Sequence, residues 1–352
     1  MQASAAALSA GVASSASSTE RTISTGRGGI KFALIQTPGN TLHQKLSKQI
    51  GINHAIVSVN SVLSKVPRSD YPQALAKVKA EYDAAGIRIA GVESHPVAAE
   101  KIKLGVAGRD EEIENYIAAI AALRGIGVDV LCYNFMAGLG WYRTSVTKVH
   151  RGALVSEFDN EVAKKQGLTE WGAISEEKVW DNIKYFLKAV IPAAEKHGVK
   201  MALHPDDPPL SPLRGIGRIV TSAANYRKIM NLVPSPMNGV TFCQANFVAM
   251  GEKLEPLVRE WCAQKKIFFV HFRDIKGTRE RFQETFHDDG ATDMARMLKV
   301  YSECGFDGPM RPDHAPTLAN ETNDRPGYAI NAKLFALGYM KGIMEGAGLP
   351  YE

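Results

Sequence analysis

Apolar and polar positions along this chain repeat with two alternating periods. From Ile30 onward, short apolar segments bounded by Gly, Pro, Asn and Asp are separated by longer stretches whose apolar residues recur at helical spacing, and repeated strand and helix pairs of this kind build a parallel sheet. The predicted strands are IKFALIQ (30–36), HAIVSVN (54–60), IRIAGVES (87–94), VDVLCYNF (128–135), KMALHPD (200–206), GVTFCQA (239–245), IFFVHFRD (267–274) and GPMRPDH (308–314). Between them, YPQALAKVKAEYDAAG reads as a helix stopped at Gly86, and RDEEIENYIAAIAALRGIG as one with acids in its first turn and Gly125 after its last. Eight such pairs predict an α/β fold, a single closed (β/α)₈ or TIM barrel over residues 30–352. An open doubly wound sheet is the alternative, but no GxGxxG follows the first strand. The longest interruption, residues 136–175 after strand four, is long enough to have a task such as covering a site; its plainer reading is a surface excursion or an oligomer contact.

Composition narrows the function classes. A chain of 352 residues with 45% hydrophobic and 22% charged content is ordinary for a globular protein with a sizeable core. The net charge of +5 is small and spread, which argues against nucleic acid or an anionic membrane as partner and suits a small anionic substrate. Cys132, Cys243, Cys262 and Cys304 show no CxxC spacing, so reduced thiols are expected rather than a disulfide framework. Residues 1–29 are an Ala/Ser-rich stretch closed by GRGG. They read equally as a disordered tail and as the back end of an export signal whose basic start lies upstream.

Four metal-type residues fall at the fifth or sixth position of four successive predicted strands: His204, Cys243, His271 and Asp313. Each alone has a bland account, as a core histidine, a buried thiol or a helix cap. Together they converge, because the carboxyl ends of barrel strands form one face. Two imidazoles, a thiolate and a carboxylate suit a divalent transition metal, and the thiolate favours zinc or iron over magnesium. Arg311, His314 and Tyr328 stand beside them in RPDH and PGY as groups for charge stabilisation and proton transfer. Asp313 and His314 can share a site only where the strand ends, since neighbours on a strand face opposite ways. His314 has a second reading, as a group that orients a ligand.

The motifs GVES, GRDEEIENY, CYNFM followed by W and RT, HPDDPP, TFC, VHFRD, FHDDG, TDM, RPDH and PGY, taken in this order, resemble the mannonate dehydratase family across nearly the whole barrel. That resemblance implies a manganese-dependent hydro-lyase, with iron(II) or another divalent ion as the alternative, turning D-mannonate or a related aldonate into a 2-keto-3-deoxy acid. It further implies metal ligation by His204, Cys243, His271 and Asp313, and acid and base roles for His314 and Tyr328 in either order, with Arg311 adding charge. Asn134, Trp141, Arg143, Asp206, Arg273 and His287 from the same motifs are expected to hold the substrate, although the FHDDG loop reads equally as a solvated one. A cytoplasmic homo-oligomer, dimer or tetramer, is expected, or an exported protein if the tail is a signal remnant.

The chain also departs from that pattern. The family's proline, aspartate and threonine in the CYNFM stretch are Ala137, Gly140 and Tyr142 here, its PVHE is PVAAE with Glu100 as the remaining acid, and its TGSLG after strand six is QANFVAMG. The FHDDG loop is short. These changes predict an altered substrate wall around an unaltered metal centre, with Tyr142 against the substrate. Two alternatives are a sugar isomerase or epimerase on the same barrel, which would typically use paired carboxylate ligands, and a noncatalytic sugar-acid binder, against which both His314 and Tyr328 argue.

Overall fold

A computed structural model describes residues 28–352; the expected tail over residues 1–29 lies almost wholly outside the described residues. Twelve strands are present among them: β1 (Lys31–Gln36), β2 (His54–Val57), β3 (Arg88–Glu93), β4 (Val130–Tyr133), β5 (Ser145–His150), β6 (Ala153–Asp159), β7 (Lys200–Leu203), β8 (Asn238–Cys243), β9 (Ile267–Phe272), β10 (Ile275–Thr278), β11 (Arg281–Glu284) and β12 (Pro309–Pro312). Eight close into a barrel in the order β1-β12-β9-β8-β7-β4-β3-β2. These eight are the strands expected from the apolar pattern, shorter by one to three residues at most ends.

Parallel strands covered on both faces read as continuous apolar runs rather than as alternations, and β8 and β9 are buried at every position. Ala33, Ile56, Val130, Cys132, Ala202, Phe268 and Phe269 pack together as one cluster, while Phe32, Leu34, Leu203, Phe242 and Val270 pack in a larger one that includes the helix residues Leu123, Phe186 and Trp261. The helix Glu176–His197 shows why such segments stop and start where they do: the Ser175 side chain accepts from the Lys178 amide, and Gly198, at φ 66°, closes the other end. Helix Tyr71–Ala84 is followed by Gly86 at φ 66°, as expected. Helix Arg109–Gly125 instead runs through Gly125, and the left-handed residue is Gly127 at φ 80°.

The interruption after strand four is not featureless. It contributes β5, β6 and the helix Asn160–Lys165, and the segment after strand seven contributes the hairpin β10–β11. The two insertions pair as one four-stranded sheet, β10-β11-β6-β5, with Phe282 opposite Phe158. Phe158, Ile275, Phe282, Leu213, Ala245 and Ala249 form the apolar seam of this sheet. All four cysteines are free thiols. No helix among the described residues is long and apolar enough to cross a membrane.

Candidate metal centre and substrate cavity

The register of the barrel brings the four metal-type residues to one level. Cys243 is the last residue of β8 and lies opposite His271 in β9, which lies opposite Arg311 in β12. β12 ends at Pro312 and β7 at Leu203, so Asp313, His314 and His204 all stand just beyond strand ends, where the backbone is free to turn both Asp313 and His314 toward the axis. One ligand atom from each of His204, Cys243, His271 and Asp313 lies within 4.8 Å of the others.

The electrostatics of this cluster favour a bound cation. Both ring nitrogens of His271 are buried without a hydrogen bond, their nearest carboxylates being Glu93 and Asp313 at 3.4 Å, a costly state for polar groups that nothing coordinates. Burial alone would push the Cys243 thiol up, but Arg273 and His204 outweigh it and bring it down to about 6, making it a thiolate near neutral pH. Burial and Arg311 disfavour a charge on His271, yet Glu93 and Asp313 outweigh them and hold a proton on it well above the ordinary histidine range, so a positive charge is favoured at that point. His204 donates Nδ1–H to the Pro205 carbonyl at 2.7 Å, which leaves Nε2 as its free lone pair.

Guanidinium groups back the cluster. Arg273 Nε lies 3.3 Å from Cys243 Sγ and 2.9 Å from Asp313 Oδ2. Arg311 Nε donates to Glu93 Oε2 at 2.6 Å and its Nη2 stands 2.9 Å from Asp313 Oδ1. Glu93 in turn reaches 3.4 Å from His271 Nε2. The carboxylate of Glu93 is held ionised well below the usual range: burial opposes its charge, and Arg311 and His271 more than offset this.

Above the cluster opens a cavity of about 220 Å³ lined by all of its members except Cys243, and by His314, Tyr328, Asn134, Gly140, Trp141 and Lys103. The His314 ring is 5.1 Å from Trp141 and 5.3 Å from Tyr328, centroid to centroid. Burial and the Asp313 carboxylate push the Tyr328 phenol far above its ordinary range, so it is present as the neutral O–H. Lys333 stands 4.3 Å from the centre of the Tyr328 ring, and burial together with Arg311 brings its ammonium down to about 7.

Of the residues expected at the substrate, Asn134 and Trp141 line the cavity and the others do not. Arg143 is buried against Asp207 (2.6 Å) and Glu284 (2.6 Å). Arg273 and Arg311 are fully buried behind the cluster, so Arg311 meets Asp313 rather than the substrate. Asp206 accepts from the Val220 amide at 2.8 Å, and His287 donates to the Phe272 carbonyl at 2.7 Å, where burial lowers it to about 4. Tyr142, expected against the substrate, turns away: its ring packs edge-on to Phe158 and its hydroxyl donates to Gln166. Glu100 is spent on the Gly138 amide and Lys103.

Sequence reasoning passed over Glu93, Asp207, Lys103 and Glu284. The first two stood inside quoted motifs, GVES and HPDDPP, where a carboxylate at a strand end was signal enough. Glu284 had none.

Comparison with known proteins agrees with this geometry. The family model for D-mannonate dehydratase (UxuA) matches residues 45–171 and 160–348. Mannonate dehydratase 2 of Halalkalibacterium halodurans is 38% identical over 288 aligned positions, covering 74% of this chain and 83% of that one. The mannonate dehydratase of Streptococcus uberis is 36% identical over 300 positions, covering 77% and 85%. The crystal structure of mannonate dehydratase from Streptococcus suis serotype 2 superposes with a TM-score of 0.81 at 28% identity, over 92% of this chain and 96% of that one. With its closed parallel barrel and a family model spanning most of its length, the chain belongs to the D-mannonate dehydratase family of hydro-lyases.

Proposed function

We propose that this protein dehydrates D-mannonate, or a closely related aldonate, to the 2-keto-3-deoxy acid, and that His204, Cys243, His271 and Asp313 hold one divalent transition metal, manganese or iron(II). The observation that carries this reading is the convergence of one ligand atom from each of His204, Cys243, His271 and Asp313, with both His271 ring nitrogens buried and without a hydrogen bond, at the floor of a cavity that also exposes His314 and Tyr328. Nitrogen, sulfur and oxygen donors in one cluster suit a transition metal better than magnesium or calcium. They also differ from the paired carboxylates expected of the sugar isomerases.

Bound there, the metal supplies a Lewis acid next to the substrate carboxylate, which makes the proton on C2 removable. His314 takes that proton through Nε2, the ring nitrogen 3.9 Å from Asp313 Oδ1. Tyr328, held neutral by burial, gives its proton to the C3 hydroxyl, which leaves as water. The enol that remains becomes the ketone when its hydroxyl proton is lost and C3 is protonated. Asn134, Trp141 and Lys103 receive the rest of the sugar acid, and Arg273 and Arg311 keep Cys243 and Asp313 ionised from behind. The test is 2-keto acid formation from a panel of aldonates, with metal added and with metal stripped; formation of none of these products under either condition defeats the proposal.

A further inference from the structure

Two insertions in the barrel meet in the accessory sheet, and the last residue of β11 is Glu284. Its Oε1 lies 3.2 Å from Nδ1 of His314. We infer that Glu284 is the positioning residue of His314: it accepts a hydrogen bond from Nδ1–H and thereby leaves Nε2 as the nitrogen that meets the substrate. The inference rests on the proton-transfer role proposed for His314 and adds the reason why the ring presents one nitrogen rather than the other.

An ionised carboxylate only accepts hydrogen bonds, so the imidazole nitrogen facing it carries the hydrogen, and the other nitrogen of the neutral ring holds the lone pair. Glu284 is ionised for a visible reason. Arg273 Nη1 touches both of its oxygens at 2.7 and 2.8 Å, and Arg143 Nη2 touches Oε1 at 2.6 Å. Although burial opposes the charge, these guanidinium groups bring the carboxyl down to about 2. The carboxylate is 2% exposed in a fully protein-lined setting, so it is also fixed in place.

The same cluster invites a different reading. One ligand atom from each of Asp207, Glu284 and His314 falls within 4.8 Å of the others, as in a second cation site. Arg143 and Arg273 already neutralise both carboxylates, with Arg143 bidentate on Asp207 at 2.6 and 3.0 Å. The cluster is therefore a closed ion-pair network, and the Glu284 oxygen that faces His314 is the one both guanidinium groups hold in place. Register decides its height: Arg281 lies opposite Asp159 and Phe282 opposite Phe158, and Arg143 lies two residues before β5, in the insertion that also carries β6. In this arrangement the insertion after strand seven carries the orienting carboxylate and the insertion after strand four carries one of the cations that hold it, which is a task beyond covering the cavity.

The test uses the full chain loaded with zinc, which is diamagnetic, for ¹⁵N-histidine NMR, with the His314 signal identified by its loss in His314→Asn. The parent is expected to show hydrogen on Nδ1. With the activating metal, Glu284→Gln should lose about 10²-fold or more in kcat while KM and bound metal stay unchanged, and Glu284→Asp should recover part of the loss. An unchanged kcat in Glu284→Gln, a loss accounted for by missing metal, or hydrogen on Nε2 in the parent each overturns the inference. If Glu284→Gln does not fold, the parent spectrum and Glu284→Asp decide. A parent that dehydrates no aldonate defeats the proposed function instead, and the spectrum still reports on Glu284.

Discussion

Arg273 Nε stands 3.3 Å from Cys243 Sγ, thirty residues away in the chain. This contact makes the thiol a ready ligand, since metal binding to cysteine requires the thiolate. Because the Cys243 pKa falls from 9 to about 6, protons compete with metal at the sulfur only as pH drops below about 6. Metal titrations from pH 5 to 8 should show affinity rising with pH, because the proton on His271 must leave for the metal to bind, and falling more steeply below about 6, where the thiolate is lost. Arg273→Met should move that fall to higher pH, and Cys243→Ser should release the metal and abolish turnover. Unchanged metal content in Cys243→Ser, measured by elemental analysis, would reject the ligand set.

Tyr328→Phe and His314→Asn remove the proposed proton-transfer groups without touching the four proposed ligands. Each should keep its metal and lose about 10² to 10⁴ fold in kcat. Full rates in both variants with every aldonate that the parent accepts would remove the mechanism.

Gly140 and Tyr142 separate the substrate wall from its support. A Cβ added at Gly140 meets nothing within 4 Å, and the residue lines the cavity, so Gly140→Asp restores the family's carboxylate without a clash. The parent should turn over D-mannonate slowly relative to another aldonate, and Gly140→Asp should raise kcat/KM for D-mannonate, because a site that hydrogen-bonds a substrate hydroxyl discriminates more sharply than an apolar one. Tyr142→Thr removes packing on Phe158 instead. It should lower stability by about 1–3 kcal/mol in denaturant melts and leave substrate choice alone.

His54 lies at the opposite end of the barrel, buried, with Nδ1 unpartnered. Burial, and then Arg88, lower its pKa from 6.5 to about 4. The folded state therefore binds fewer protons than the unfolded chain between these values, so the stability it contributes is complete above about pH 6.5 and is lost as pH falls toward 4. Chemical denaturation across this window should show that slope, and His54→Gln should flatten it. An identical slope in the variant would assign the acid sensitivity to other groups.

The eight barrel strands were legible in the chain because a strand buried on both faces needs a continuous apolar run, and that need is local. The convergence of the four candidate residues was legible for a related reason: strand ends in a barrel converge, so His204, Cys243, His271 and Asp313 at matched depths are placed near one another by counting alone. Which way each polar side chain turns is not local. Arg143, Asp206, Arg273, His287 and Arg311 occupy motifs beside the cavity, yet each is buried against a partner between 1 and 218 residues distant in sequence. Arginine is the extreme case, since its burial requires carboxylates that only the closed barrel brings to it. Glu284 is the clearest instance of what tertiary structure alone decided: Arg281–Glu284 reads as any short surface strand, and its pairing with β6, more than a hundred residues earlier, is what carries its carboxylate to His314.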